Sequence, residues 1–572
     1  MGDYDLVVRG GTIVDGSGLP PFRDDVGIRN GRIVQVGPIR ERGDREIDAE
    51  GHMVTPGFID GHTHMDAQVF WDPYGTCSCW HGVTTVVMGN CGFTLAPVRS
   101  DARELIVRNL ERAEDIPPAA LAAGIEWSWE DFSGYLDAVE RLPKAINYAG
   151  YVGHSALRTW AMGERAFTEE AGDDDIRAMQ DQLRVALDAG AVGLSTSQNS
   201  VHATSDDRPV ASRQASWAEL TALAGVLREY GGDRIFEIAV EKMTSDPDAK
   251  QREAAFARLR SLALSSGAPM TFGITAGIDK DTDDYRWRDK LDLVESVNAA
   301  GGRAFGQSLP RTVTVIYSFK GRLPFDRTPL WAEFRSLGLD AQRQMLENPE
   351  DRARLVKAAI EGPYQSESGI GRPPEYERIE VLLDPVGPNP TLAEIARQRG
   401  VHPAEALIET SLERNFDQFY SLVMANQREE DLLAILKHPN VIMTFSDSGA
   451  HVGYLMESSI QSYLLAYWVR QRQELSFEEA VRMLTLVPAT AWGFTDRGLL
   501  RPGFVADLNV IDADRVAPLP LVVDNDLPAG MSRLKQKATG FRATVVAGEV
   551  ALEEGEHTGV FPGRLLRRVQ PV

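Results

Sequence analysis

Two textures alternate along this chain. Over residues 1–50, short apolar runs break repeatedly at Gly, Asp and Asn: Leu6-Val7-Val8, Thr12-Ile13-Val14, Val26-Gly27-Ile28 and Ile33-Val34-Gln35-Val36. Such runs between turn residues predict short β-strands. The same texture returns near the C-terminus in Ala506-Asp507-Leu508-Asn509-Val510-Ile511 and Ala543-Thr544-Val545-Val546-Ala547, with Gly548-Glu549 suited to a turn. Neither end holds enough strands for a sheet of its own. The expectation is therefore one small β-sandwich domain built from both termini, residues 1–53 and 496–572.

Between them, β-branched apolar runs recur, each followed by a longer helical stretch. Strands are predicted at 54–59, 83–88, 148–153, 191–195, 234–240, 269–275, 303–307 and 440–446. Unbroken apolar runs fit strands buried on both faces of a parallel sheet. The fold class is thus α/β, with residues 54–495 forming a (β/α)8 TIM-type barrel. From about 310 to 430 no barrel strand is legible and the composition turns charged and helical, which predicts a helical insertion before the last barrel strand, a lid or specificity subdomain.

Composition narrows the partners. Sixty basic against 83 acidic residues among 572 give a formal charge of −23. That surface repels phosphate backbones and anionic lipid, so a small-molecule substrate is expected, not nucleic acid or a membrane. The N-terminus has no basic region leading into an apolar run, and no stretch approaches the ~18 apolar residues of a membrane span. The cysteine count, Cys77, Cys79 and Cys91, is odd and sparse, which suits a reducing, cytoplasmic compartment. A homo-oligomer is only the default for such a protein.

Three segments carry chemistry. In Phe58-Ile59-Asp60-Gly61-His62-Thr63-His64 a strand ends in two histidines with one residue between them. Positions i and i+2 of an extended chain project to the same side, so both imidazoles can aim at one point at the barrel mouth. Neutral imidazole suits Zn²⁺. In Val441-Ile442-Met443-Thr444-Phe445-Ser446-Asp447 the last strand brings a carboxylate to the same mouth, where Asp447 can ligate metal and move the catalytic proton. In Val86-Val87-Met88-Gly89-Asn90-Cys91-Gly92 the second strand runs into Cys91, whose thiolate would be a strong zinc ligand. Cys77 and Cys79, in a loop, and His81, before a strand, read as structural. His154 and Arg158 follow the third strand; the first could polarise a carbonyl, the second clamp a substrate carboxylate. His202, with Ser197, follows the fourth and is a weaker substrate-binding candidate. His451 suits a helix cap.

These residues carry a resemblance. Gly11-Thr12-Ile13-Val14-Asp15-Gly16, the Pro56–His64 strand, Gly82-Val83-Thr84-Thr85-Val86 with Gly89-Asn90-Cys91-Gly92, and Gly503-Phe504-Val505-Ala506-Asp507-Leu508 resemble the amidohydrolase superfamily, and the cysteine after the second strand is similar to its D-aminoacylase branch. The resemblance implies a metal-dependent barrel that hydrolyses an acyl–nitrogen bond, with His62, His64, Cys91 and Asp447 around zinc. It also implies histidines ending the fifth and sixth strands. This chain has none there; Glu237 stands near the fifth-strand position and can ligate zinc, whereas Phe272 and Gly273 on the sixth cannot.

The expectation is one tightly bound zinc on His62, His64 and Asp447, with Cys91 or Glu237 as a further ligand. Asp447 and His154 act in catalysis, Arg158 and His202 in binding a carboxylate-bearing N-acyl-amino acid. The rival expectations are hydrolysis or elimination at another bond on the same barrel, and a barrel that only binds or assembles.

Overall fold

The computed structural model describes residues 2–568 except 241–243, 245, 247, 278–285, 365–371 and 454–456. Its centre is a (β/α)8 barrel: β1 (Phe58–Asp60), β2 (Val83–Met88), β3 (Asn147–Gly150, continued by Val152–Gly153), β4 (Gly193–Ser197), β5 (Ile235–Ala239), β6 (Met270–Gly273), β7 (Ala304–Ser308) and β8 (Val441–Met443). Each overlaps a run expected from the sequence. Every residue of β2 is buried, as a strand covered on both faces requires. All adjacent pairs from β1 to β8 are parallel. Strand β3 breaks at Tyr151, its first half pairing with β2 and its second with β4.

Side chains close the ring between β8 and β1. Thr444 Oγ1 accepts the Gly61 N–H at 2.7 Å and donates to the fully buried Asp60 carboxylate at 2.7 Å. The Ser448 carbonyl accepts the His64 N–H at 2.7 Å. This clasp ties the loop carrying the histidine pair to the loop carrying Asp447.

The outer helices follow from patterning and caps. In Asp173–Asp188, Met179, Leu183, Ala186 and Leu187 bury one stripe, while three aspartates sit in the first turn, where the helix dipole favours negative charge. Asp131 and Ser216 cap Phe132–Arg141 and Trp217–Leu227 by accepting the Gly134 and Glu219 N–H groups.

The insertion between β7 and β8 is not purely helical. Val313–Tyr317, Ile379–Val381 and Tyr420–Ala425 form an antiparallel sheet. It shares with its helices a separate core that includes Phe319, Trp331, Phe334, Leu355 and Leu407. Strands this short, flanked by charge, leave little periodicity to read. Residues 365–371 of the insertion lie outside the described residues.

The two chain ends meet in one nine-stranded sheet. Its central junction is Met53–Pro56 antiparallel to Leu508–Ile511, over a core that includes Leu6, Val8, Val26, Val54, Val510 and Val545. Not all of 496–572 belongs to it. The hairpin Val522–Leu527/Met531–Lys535 reaches the barrel rim, where the Leu534 N–H donates to the Val452 carbonyl at 2.8 Å. The last described residues run under the barrel, Leu566 N–H donating to the Tyr148 carbonyl at 2.6 Å. Among the described residues no helix is long and apolar enough to cross a membrane.

Candidate metal centre

The strand ends of the barrel deliver a set of donors to one point. Asp447 Oδ1 stands 3.3 Å from His62 Nε2 and 3.4 Å from His64 Nε2. Cys91 Sγ lies 3.6 Å from His62 Nε2, and one donor atom from each of His62, His64 and Cys91 falls within 4.8 Å of the others. Nitrogen or oxygen donors ~2.0–2.1 Å from one tetrahedral zinc stand about 3.4 Å apart, and a sulfur–nitrogen pair about 3.6 Å apart. These three separations meet that test; the group whose donors all close within 4.8 Å is His62, His64 and Cys91, and Asp447 adjoins it through the two histidines. Asp447 Oδ1 is buried with no hydrogen-bond partner, a need that a cation would satisfy. The donors present fit a divalent metal of zinc's kind.

Their aim is set by residues one layer out. Gln307 Oε1, on β7, accepts from His62 Nδ1 at 2.6 Å, while Gln307 Nε2 donates to Thr271 Oγ1 on β6 at 3.0 Å. A proton held on Nδ1 leaves Nε2 bare toward the centre. Strand β6 ends in Gly273, and a Cβ there would lie 2.9 Å from the Phe445 ring. That ring also packs on His62, centroids 4.2 Å apart. Phe445 thus fills the space that a ligand side chain from Gly273 would need.

The backbone is bent to do this. Cys91, Phe445, Asp447 and His451 have φ of 55°, 83°, 50° and 50°, a region costly for any residue with a Cβ and most for a bulky ring. Strain gathered at one mouth marks a functional site. Gly449, with φ of 97°, lets the Asp447 loop pass the β1 loop; a Cβ there would lie 2.5 Å from the His64 carbonyl oxygen.

Electrostatically the centre is a cluster of buried acidic groups. Asp66, Glu114 and Glu237 are buried and Asp447 is partly so, and among the described residues none ion-pairs with Lys or Arg; the partners within reach are His62, His64 and His451. Burial pushes the Asp66 and Glu237 carboxyls up to about 8. Burial, and then the charge of Asp447, raises Glu114 well above the usual carboxylate range. Burial also raises Asp447, against the pull of His62 and His451. The Cys91 thiol is raised by burial and then by Glu237, Glu114 and Asp447. Burial lowers His62 to about 4 and His64 to about 3, so both rings are neutral and able to ligate at neutral pH.

The remaining expected residues divide. Glu237 is at the centre, but its Oε2 accepts the Cys91 N–H at 2.8 Å, so it braces the cysteine turn. His202 lies on the mouth side, its Nδ1 2.7 Å from Ser197 Oγ and its ring edge-on to Phe93. Burial first, and then the charges of His451 and His64, lower it to about 3. His154 and Arg158 are not available to a substrate. His154 Nδ1 is 2.8 Å from Thr196 Oγ1 and its Nε2 2.9 Å from Glu219 Oε1, which leaves no ring nitrogen to polarise a carbonyl. Arg158 is ion-paired with Glu219, and the three side chains are fully buried. This cluster is a strut behind β4, which corrects both expectations.

Cys77 and Cys79 are buried, with burial raising both thiols. Cys77 also lines a cavity beside Asp447, together with Ser446, Glu457 and Leu534. His81 sits between Ser462 Oγ and the Gln536 carbonyl, as a structural residue should.

Four residues escaped the sequence reading. Gln307 had a signal, as a polar residue near the C-terminal end of an apolar barrel strand. His451 faces Glu114 at 3.7 Å instead of capping a helix. Glu114 lies in the charged stretch Glu111-Arg112-Ala113-Glu114-Asp115, which reads as a solvated helix end. Arg213, half-buried, donates to the His202 carbonyl at 2.8 Å and, among the described residues, has no carboxylate within ion-pair distance.

Comparison with known proteins agrees with this geometry. A family model described as "Amidohydrolase family" matches residues 45–315 and 390–552; the gap falls inside the insertion. An N-acyl-D-glutamate deacylase of Alcaligenes xylosoxydans xylosoxydans is 29% identical over 527 residues, covering 90% of this chain and 88% of that protein. An N-acyl-D-aspartate deacylase of the same organism is 27% identical over 568 residues, covering 98% and 95%. The crystal structure of an N-acyl-D-glutamate deacylase from Bordetella bronchiseptica, complexed with zinc and a phosphonate mimic of the tetrahedral intermediate, superposes with a TM-score of 0.65 at 25% identity, covering 99% of both chains.

Proposed function

The chain belongs to the amidohydrolase family, as a hydrolase of carbon–nitrogen bonds other than peptide bonds, and on that premise we propose that it deacylates N-acyl-D-amino acids with an acidic side chain. The observation that carries this reading is the convergence of two β1 imidazoles and the carboxylate following β8 on one point, with separations of 3.3 and 3.4 Å. His62, His64 and Asp447 would hold one divalent metal, zinc by donor type, with Cys91 as the further ligand. When bound, that ion supplies the positive charge that acidifies a water and polarises the acyl carbonyl.

The chain's own groups do the rest. Gln307 keeps the proton on His62 Nδ1, so the ring cannot turn. The Asp447 carboxylate takes the proton of the attacking water and returns it to the departing nitrogen, through the oxygen not facing the histidines. The Asp447 side chain is partly exposed, as that exchange requires. Arg213 and His202 form the wall that faces a substrate carboxylate, with Arg213 supplying the charge. Acidic D-amino acid derivatives suit this wall and match the substrates in the names of the two deacylase relatives.

The test is release of free amino acid from N-acetyl-D-glutamate and N-acetyl-D-aspartate, with their L-enantiomers and N-acetyl-D-leucine as controls. The expected result is turnover of the acidic D-substrates, abolished by prolonged chelation and reduced 10²–10⁴-fold in Asp447→Asn, the range of general acid–base catalysis. Turnover that survives complete metal removal, or Asp447→Asn within about tenfold of the parent, would overturn the mechanism.

A further inference from the structure

Glu114 lies beside the candidate metal centre, just after the helix Arg103–Glu111. It is 1% exposed, and its Oε2 has no hydrogen-bond partner. The groups it faces are His64 Nε2 at 3.5 Å and His451 Nε2 at 3.7 Å. A buried carboxylate without a cationic partner is strongly unfavourable, so buried charges in proteins are paired or coordinate metal. Glu114 adds a fourth carboxyl to a mouth that already holds Asp66, Glu237 and Asp447, with no Lys or Arg paired to any of them among the described residues. Among the described residues no cationic side chain is placed to stabilise them ionised, which a metal ion would do.

The geometry is that of a ligand. The separation of Glu114 Oε2 from His64 Nε2 matches that of Asp447 Oδ1 from the same atom, 3.5 against 3.4 Å, and both lie near the edge length of a zinc tetrahedron, about 3.4 Å. The backbone holds the carboxylate there. The Glu114 carbonyl accepts the N–H of His451 at 2.5 Å, which ties its loop to the loop of Asp447. The neighbouring Asp115 is ion-paired with Arg322 of the insertion, so the segment is anchored from both sides.

We propose that Glu114 is a ligand of the metal centre, entering from the loop after the helix Arg103–Glu111 and facing His64 and His451. It supplies the donor that β5 and β6 do not. On β5, Glu237 turns Oε2 to the Cys91 N–H, and on β6 the Phe445 ring covers Gly273. With Cys91 after β2, the centre is then a five-donor set reached from four directions: the β1 histidines, the cysteine turn, the loop after β8, and a carboxylate from a loop remote from any metal-binding motif. This inference rests on the metal-dependent reading above.

The experiment is zinc binding by the full chain, measured by elemental analysis and by competition with a chromophoric chelator, for the parent, Glu114→Gln and Glu114→Asp. Glu114→Gln keeps shape and removes charge. The expected result is zinc affinity at least tenfold weaker in both variants, with the melting temperature of metal-free Glu114→Gln equal to or above the parent's. A purely structural role gives the opposite pattern, a lowered melting temperature with unchanged zinc affinity, and would overturn the proposal. Parent-like affinity in a folded Glu114→Gln or Glu114→Asp also sinks it while leaving the metal-dependent reading intact. A parent that binds no zinc sinks both.

Discussion

Replacing Glu219 by glutamine separates a structural role for Arg158 from a substrate-binding one. Glu219 offers Oε1 to His154 and Oε2 to Arg158, and all three side chains are fully buried. Glutamine has one carbonyl oxygen and one amide NH₂ where the carboxylate had two acceptors. The oxygen can still serve Arg158, and the NH₂ can face a His154 Nε2 that acts as acceptor, with Nδ1 donating to Thr196. The hydrogen bonds are therefore largely replaceable and the charge is not. An Arg left buried without its counter-ion costs about 3–5 kcal/mol, or roughly two to four orders of magnitude in the folding equilibrium.

The pH dependence gives a second handle. Burial raises the Glu219 carboxyl, but His154 and Arg158 outweigh it, so the group sits below its ordinary value of 4.5. A depressed carboxylate contributes stability that is present above its unfolded value and lost as pH falls through its folded value. Parent stability should therefore drop below about pH 4.5 through this group, and Glu219→Gln should lack that component. The assay is urea unfolding by circular dichroism between pH 3 and 8, beside kcat and KM of the folded fraction on an acidic N-acyl-D-amino acid. KM should stay within twofold. If Glu219→Gln or Arg158→Met unfolds within about 0.5 kcal/mol of the parent, as a surface substitution would, and KM rises tenfold or more, Arg158 faces substrate and the strut assignment is wrong.

Two further outcomes test the centre itself. Cys91→Ser replaces a thiolate donor by a neutral hydroxyl and should weaken zinc affinity in chelator competition; metal content and turnover equal to the parent's would remove Cys91 from the ligand set. Asp66, raised to about 8 by burial, keeps its proton in the folded metal-free chain while the unfolded chain ionises from 3.8 upward, so stability should fall as pH climbs through that window. Asp66→Asn, which retains an acceptor for the Gly89 N–H held at 2.8 Å, should therefore gain on the parent steadily from pH 5 to 8 in thermal melts of the metal-free proteins, and a constant difference would mean that Asp66 is ionised in the fold.

The sequence alone determined whatever depends on neighbours within a few residues. A β-branched, mostly apolar run such as Val83–Met88 suits a strand buried on both faces, so the eight barrel strands were legible. The aim of His62 and His64 follows from the alternation of an extended chain, and Asp447 and Cys91 from the strands that end beside them. The tertiary structure alone decided which groups face one another across the barrel. His62 meets Gln307 from 245 positions away, and Arg158 meets Glu219 from 61. A charged residue carries no local mark of whether its partner will be water, an ion pair or a metal. Arg158, at a strand end, had the address of a binding residue and is paired inside the wall. Glu114, in a charged stretch with nothing local to single it out, lies buried at the centre. Burial and the charges within a few ångströms set the behaviour of an ionisable group, and both are properties of the closed barrel, absent from any stretch of chain a few residues long.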